Sequence, residues 1–252
     1  MSEFSSIRIS GSGSCGGGCY NEIRISGSGK VTGDVKCNEI SVSGSGRIEG
    51  RVDCLGKIGI SGSGVISGDI HCSEFRISGA TKAEGNISAQ SVHSSGSLSV
   101  GGWINADEIV VSGAVSAGGD ISGERITISG GVKTEKLISG QNVEIRLGGY
   151  NGQCCIGEIG GGNIMVTRRA DEQISGFFGK LFRNNRNVPM AKIGSIEADN
   201  IDVSYSEIDK IVGARVKIGP CCEVERVEYT ESLEVDESST VKETVKSGNA
   251  AQ

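Results

Sequence analysis

The stretch ISGSGKVTGD at residues 25–34 places several glycines beside Lys30 and Asp34. Backbone N–H groups can approach a phosphate where side chains are absent, and a lysine adds positive charge, so such a stretch could bind a nucleotide. However, Val31 follows Lys30 where a P-loop has Ser or Thr, and the glycine spacing is also wrong for a P-loop. Residues 11–16 contain a GxGxxG spacing as well. Either match is stronger evidence for a nucleotide site if it occurs only once in the sequence.

The glycine-rich motif is repeated. The pair Ser-Gly recurs about every 17 residues, starting at Ser10, Ser26, Ser43, Ser61, Ser78, Ser95, Ser112 and Ser129. A fixed period of this kind is typical of a repeat architecture, which generates glycine-rich matches by itself. We therefore expect no nucleotide site: the glycines turn corners, and Lys30 and Asp34 are solvated corner charges.

An apolar-x-apolar pattern gives the repeat a sharper frame. It occurs at Ile7/Ile9, Ile23/Ile25, Ile40/Val42, Ile58/Ile60, Phe75/Ile77, Ile109/Val111, Ile126/Ile128, Val143/Ile145, Ile164/Val166, Ile201/Val203, Val216/Ile218 and Leu233/Val235, with a weaker copy at Val92/Ser94. Alternation with period two indicates strands that bury one face. Each unit contains two further short apolar runs separated by glycines, and such units can bury their apolar faces only by stacking.

The sequence thus predicts an all-β fold, a parallel right-handed β-helix (solenoid) of about 11–13 coils with a period of ~17 residues, plus a short helical or loop insertion. At about 4.8 Å per coil, the rod would be on the order of 60 Å long. The predicted segments are the main solenoid (1–167), a basic amphipathic insertion (168–192), a solenoid continuation (193–236) and a disordered tail (237–252).

The cysteines fit one position of the repeat. Cys19, Cys37, Cys54 and Cys72 recur at this spacing, and the same position later holds Ala89, Ala106, Gly123 and Gly140. A position that accepts Cys, Ala and Gly is a tight inward one, so we predict a buried ladder rather than a metal site. In the pairs Cys154/Cys155 and Cys221/Cys222, one member should be exposed, either as a reactive thiol or in an irregular corner.

The predicted insertion carries an apolar stripe with helical spacing: Ile174, Phe177, Phe178, Leu181 and Phe182. A basic amphipathic helix can contact a membrane surface or a partner. The alternative is that the stripe folds back and covers one flank of the solenoid.

Several functional classes have little support. The net charge is −6, the chain has two histidines, and no basic face with interleaved aromatic residues is evident, so nucleic-acid binding is not expected. No catalytic residues, metal ligands or cofactor-binding residues are identified, so we expect a protein that is not an enzyme. With no signal-peptide pattern and no long apolar run, we expect a cytoplasmic location, with contact to the inner face of the cell membrane as an open alternative.

The strand pattern, the glycine corners and the motifs Gly33-Asp34-Val35, Gly68-Asp69-Ile70, Gly85-Asn86-Ile87 and Gly119-Asp120-Ile121 resemble the bactofilins. This resemblance covers residues 5–145 well and 193–236 loosely. It implies a right-handed β-helix that polymerises end to end without nucleotide and serves as a scaffold, often at the membrane.

Physical reasoning leads to a similar expectation, because the end coils of a solenoid expose unpaired strand edges. The predicted polymerisation interface comprises Phe4, Ile7 and Ile9 at one end and Leu233 and Val235 at the other. The partners expected are other copies of the chain, a membrane surface and unidentified client proteins. The alternative is a capped solenoid that does not polymerise and acts as an adaptor, because the acidic C-terminal segment could cover its end coil.

Overall fold

A computed structural model describes residues 5–148, 154–168 and 191–248. These residues contain strands, turns and bends, and no helix occurs among them. The first ten strands are β1 (Ile7–Ile9), β2 (Ser12–Ile25), β3 (Ser28–Val42), β4 (Ser45–Glu49), β5 (Val52–Cys54), β6 (Lys57–Ile60), β7 (Ser63–Ile66), β8 (Ile70–Ile77), β9 (Ala80–Ala83) and β10 (Ile87–Ser94). The remainder are β11 (Ser97–Val100), β12 (Ile104–Val111), β13 (Ala114–Ala117), β14 (Ile121–Ser122), β15 (Arg125–Leu147), β16 (Cys154–Arg168), β17 (Ala191–Val203), β18 (Ser206–Ile218), β19 (Glu223–Val235) and β20 (Thr240–Lys246).

Each coil consists of three short extended runs. In one coil these runs are β6, β7 and the first part of β8, and glycines lie at two of the corners between them. We call the three sides face 1, face 2 and face 3; in the second coil they carry Ile23/Ile25, Gly29/Val31 and Val35/Cys37, respectively. In the longer strands, the strand geometry continues through the corners.

Every run pairs in parallel with its copy in the next coil. On face 1, for example, Ile7 lies opposite Ile23 and Ile23 lies opposite Ile40. The described coils form a parallel β-solenoid of about 13 turns, which confirms the predicted fold class. The right-handed sense stays a prediction.

The core is built from the inward residues of these runs. Along each strand buried and more exposed side chains alternate, because successive side chains of a strand point to opposite sides. Most core residues are Ile and Val, and Phe75 is a fully buried aromatic residue among them. We use the term column for the residues that occupy one position in successive coils.

One inward column of face 2 shows how large and small side chains on either side of a corner fill the core together. It holds glycine in the first coils, and a Cβ atom on Gly29 would lie 2.8 Å from the side chain of Ile25. Further along, Leu98 occupies this column. Ser94 stands four residues before Leu98, whereas Ile25 stands four residues before Gly29. The Ser94 hydroxyl is buried without a hydrogen-bond partner among the described residues. Large and small residues therefore compensate for one another across this corner.

The Ser-Gly corner is tight for a different reason. A Cβ atom on Gly27 would overlap the carbonyl oxygen of Gly11 in the coil below, and Gly44 meets Gly27 in the same way. Gly11 itself has nothing within 4 Å of such a Cβ atom. Gly27 and Gly44 lie at a corner, as the sequence predicted, and glycine is required there by the close approach of stacked backbones.

The structure extends beyond the predicted boundary at residue 236. Strand β20 pairs with β19 from Glu223↔Thr240 to Tyr229↔Lys246, so part of the segment predicted to be a disordered tail forms a further partial coil. Its residues lack the glycine and Ile/Val pattern of earlier coils, which is why the sequence pattern did not reveal it. The insertion predicted at 168–192 lies largely outside the described residues.

Candidate assembly interfaces at the rod ends

The first face-1 rung has a partner on one side only among the described residues. Ile7 and Ile9 pair with Ile23 and Ile25, which are both 0% exposed. Ile7 and Ile9 are themselves only half-buried, because no described coil covers them from the other side. They lie where the sequence placed them, and their role in polymerisation stays a prediction; Phe4 lies outside the described residues.

The other faces of the first coil continue this open surface. Cys15 and Tyr20 are partly buried and pack against the core, and burial raises the pKa of the Cys15 thiol. The Tyr20 hydroxyl donates a hydrogen bond to the Gly16 carbonyl at 2.8 Å. The N-terminal end, defined as the outer surface of Ile7, Ile9, Cys15 and Tyr20, is thus apolar and uncharged at its inward positions.

At the opposite end, Leu233 and Val235 form the last described rung of face 1. They pair with Val216 and Ile218, and Val235 is 44% exposed. This rung resembles the Ile7/Ile9 rung, and its role in polymerisation stays a prediction.

Faces 2 and 3 end differently, in β20. Its inward positions continue the columns of Val224, Val227 and Tyr229 with Val241, Thr244 and Lys246, respectively. The ammonium group of Lys246 lies 5.7 Å from the centre of the Tyr229 ring, a cation–π contact. Polar residues therefore occupy two of these inward positions and cap part of the C-terminal end.

Acidic residues surround this capped end. Glu234, Asp236 and Glu237 are exposed beside the last face-1 rung, and the Asp236 carboxylate accepts hydrogen bonds from the backbone and hydroxyl of Ser238, which lower its pKa. Two cross-coil ion pairs, Arg226–Glu243 and Lys242–Glu225, connect β20 to β19. We call the outer surface of Leu233, Val235 and β20 the C-terminal end.

The cysteine ladder is present with one correction. Its column contains, in order, Tyr20, Cys37, Cys54, Cys72, Ala89, Ala106, Gly123, Gly140, Gly161, Ala198, Gly213, Tyr229 and Lys246. The assignment of Cys19 to this ladder was wrong: Cys19 is exposed and lies opposite Lys36, whereas Tyr20 lies opposite Cys37. The reason is a short corner between Gly16 and Gly18, which shifts the register of the first coil.

The corner acids have a role that the sequence analysis missed. Asp34 accepts a hydrogen bond from the backbone N–H of Arg51, one coil further on, at 2.8 Å. Asp69 does the same for Asn86, and Asp120 for Leu137. Asp34 is therefore a cap for the next coil rather than only a solvated charge, and the signal was the spacing of the Gly-Asp and Gly-Asn motifs. Lys30 forms an exposed ion pair with Glu49 at 2.9 Å.

The remaining cysteines alternate between buried and less buried positions, and of the four only Cys221 is fully exposed as expected. Cys154 and Cys222 are buried, and burial raises the pKa of both thiols. Cys155 is half-buried and Cys221 is exposed, with Cys221 in a left-handed backbone conformation (φ 58°) that marks an irregular corner. Within the described ranges, no cluster of three or more His, Cys, Asp or Glu side chains is arranged to hold a metal ion.

The predicted membrane or partner contact, Ile174, Phe177, Phe178, Leu181 and Phe182, lies outside the described residues. At the edge of that segment, the Arg168 guanidinium lies 5.5 Å from the centre of the Tyr205 ring. In the part of the chain that the structure describes, no helix is long and apolar enough to span a membrane.

The stacked coils define a class of protein, the parallel β-solenoids. Residues 2–88 match the family model of the bactofilins, which is described as polymer-forming cytoskeletal. The resemblance noted in the sequence is thereby confirmed over about a third of the 252 residues. No curated protein and no solved structure matched the chain. Together the bactofilin match over residues 2–88 and the β-solenoid fold support a polymer-forming cytoskeletal protein.

Proposed function

We propose that this protein is a bactofilin-like cytoskeletal scaffold that assembles end to end without nucleotide and recruits partners that organise cell shape, the envelope or motility. The observation that carries the proposal is the N-terminal end, where Ile7 and Ile9 pair on only one side with another of the described strands. The proposed location is the cytoplasm, at the inner face of the cell membrane.

The driving force at the N-terminal end is the burial of apolar surface and the pairing of a free strand edge. Each Å² of apolar surface removed from water contributes about 25 cal/mol, and the inward residues here are Ile7, Ile9, Cys15 and Tyr20. An unpaired edge is also a template for a strand of another chain. A second copy that covers this rung would give Ile7 and Ile9 the environment that Ile23 and Ile25 already have.

The C-terminal end supplies the second contact that a filament needs. Leu233 and Val235 offer an apolar rung, but exposed carboxylates of Glu234, Asp236 and Glu237 flank it. Like charges repel across a contact between two such ends, and the Thr244 and Lys246 positions contribute little apolar surface. We therefore infer that the N-terminal contact is the stronger one and that the C-terminal contact limits filament growth.

A capped adaptor is the second candidate, and the polar inward positions of β20 favour it. If Thr244 and Lys246 close the C-terminal end completely, two copies joined at their N-terminal ends would form a discrete dimer. Such a dimer would act as a binding module through its side faces or through the segment that contains Phe177 and Phe178.

Sedimentation velocity of the full chain, over a range of protein concentrations and without nucleotide, tests the proposal. A scaffold that assembles end to end gives species whose size grows with concentration, and added ATP or GTP leaves that distribution unchanged. A distribution that stops at the dimer favours the adaptor. A monomer at every concentration contradicts both.

A further inference from the structure

The inward column of face 3 holds three thiols in successive coils near the N-terminal end. Cys37 in β3 lies directly opposite Cys54 in β5, and Cys72 in β8 follows one coil further on. Paired residues of adjacent strands lie about 4.8 Å apart. The Cα atoms of disulfide-bonded cysteines are usually about 4.4–6.8 Å apart, so the Cα spacing of neighbouring cysteines in this column falls within that range.

An irregular corner lies beside this column. Four residue steps separate Cys54 from Ile58, the next inward residue, whereas three steps separate Cys37 from Ile40 and Cys72 from Phe75. The extra residue is Leu55, whose side chain is 80% exposed.

A groove of about 410 Å³ lies at this corner. Its lining includes Cys37 and Cys54 as well as Leu55 and His71. Cys37 and Cys54 are nearly buried, at 5% and 2% exposure. Both residues line the groove, which is large enough for a small oxidant. Cys72 does not line this groove.

The three thiols differ in acidity. The Cys54 thiol donates hydrogen bonds to the carbonyls of Asn38 at 3.3 Å and Lys57 at 3.6 Å. Its interaction with the Cys37 thiol lowers the pKa of Cys54 and raises that of Cys37. Backbone N–H groups of Gly56 and Ile40 also favour the Cys54 thiolate. Burial raises the pKa of Cys72 to about 12. Because the thiolate is the nucleophile, Cys54 is the reactive member of the cluster.

We propose that Cys54 and Cys37 form an oxidisable pair, in which a peroxide converts the two thiols into a disulfide that joins the second and third coils. The Cys54 thiolate attacks one peroxide oxygen, the O–O bond breaks, and the products are a sulfenic acid on Cys54 and, after proton transfer, water or an alcohol. The Cys37 sulfur then attacks the Cys54 sulfur, the S–O bond breaks, and the Cys37 proton leaves with the hydroxyl group as water. The peroxide accepts the two electrons that the two thiols lose.

Peptide mapping of the folded full-length protein after hydrogen peroxide treatment tests this proposal. Trypsin cleaves after Lys36, Arg47, Arg51 and Lys57, so Cys37, Cys54 and Cys72 fall on different peptides. We expect a cross-linked Cys37–Cys54 peptide in the wild type that a dithiol reductant removes. Cys72→Ser, the matched control within the same column, retains this cross-link. The double variant Cys37→Ser/Cys72→Ser loses it and instead carries a dimedone adduct on Cys54, because no neighbouring thiol of the column remains to displace the hydroxyl group.

Two results would overturn the proposal. One is oxidation confined to the exposed Cys19 and Cys221 while circular dichroism shows that the protein remains folded. The other is a Cys54–Cys72 cross-link in place of Cys37–Cys54. The wild type alone decides between these outcomes, so the test does not depend on whether a variant folds. The same peroxide treatment in denaturant shows how far the fold determines which cysteines are oxidised.

Discussion

The two ends of the rod share one architecture but differ in what their last rung presents. The N-terminal end shows Ile7, Ile9 and Cys15 at inward positions with no described coil above them. The C-terminal end keeps one apolar rung on face 1 but places Thr244 and Lys246 at inward positions on face 3. In a repeat protein the interior of every coil is similar, so the terminal coils determine what the molecule associates with.

The first prediction uses two glycines that occupy the same corner in consecutive coils. We expect Gly27→Ala to lower the free energy of unfolding by about 1–3 kcal/mol, because its Cβ atom would overlap the Gly11 carbonyl oxygen. Gly11→Ala is the matched control and should leave the stability of the subunit nearly unchanged, because nothing lies within 4 Å of its Cβ position. Chemical denaturation checks both variants, and equal losses of stability would show that the first coil is not an open end.

A second prediction removes the polar cap of the C-terminal end. The double substitution Thr244→Val and Lys246→Ala replaces the two polar inward residues with apolar ones, so we expect a several-fold larger fraction of assembled protein. Lys242→Ala is the control, since Lys242 lies outside the core and forms an exposed ion pair with Glu225. Sedimentation velocity measures the fraction, and an unchanged distribution in the double variant would mean that β20 does not limit assembly.

A third, smaller effect concerns charge at the C-terminal end. Raising the ionic strength shortens the Debye length from about 10 Å at 0.1 M to about 3 Å at 1 M, so repulsion between exposed carboxylates weakens. We expect assemblies to lengthen modestly with salt. Glu234→Gln with Glu237→Gln should reduce this dependence, measured as filament length against salt concentration. Assemblies that dissociate as salt is added would instead indicate contacts between opposite charges.

Much of the fold could be predicted from the sequence because the solenoid is a one-dimensional repeat. Residues such as Ile23 and Ile40 recur at the period of one coil, and each recurrence reports a strand pairing directly. Failures occurred where a coil departs from the repeat. A short corner at Gly16–Gly18 moved Tyr20 into the position assigned to Cys19, and the polar inward residues of β20 concealed the last partial coil.

The candidate sites were harder to predict from the sequence than the fold was. The end positions of Ile7 and Val235 follow from counting repeats, so the sequence located them. The cap formed by Lys246 over Tyr229 depends on register, because it becomes visible only when the two residues are known to be neighbours across coils. The irregular corner beside Cys54 arises from one additional residue, Leu55, and only the structure shows that this residue points outward.

Negative-stain electron microscopy of the full chain without nucleotide tests the central claim most directly. It should compare the wild type with Ile7→Arg/Ile9→Arg at the N-terminal end and with Leu233→Arg/Val235→Arg at the C-terminal end. We predict filaments for the wild type. The N-terminal variant should give single rods and, at most, pairs joined at their C-terminal ends, because charge replaces the apolar rung of the stronger contact. The C-terminal variant should give rods paired at their N-terminal ends. Filaments that persist in the N-terminal variant, or discrete single rods in the wild type, would contradict assembly through the N-terminal end.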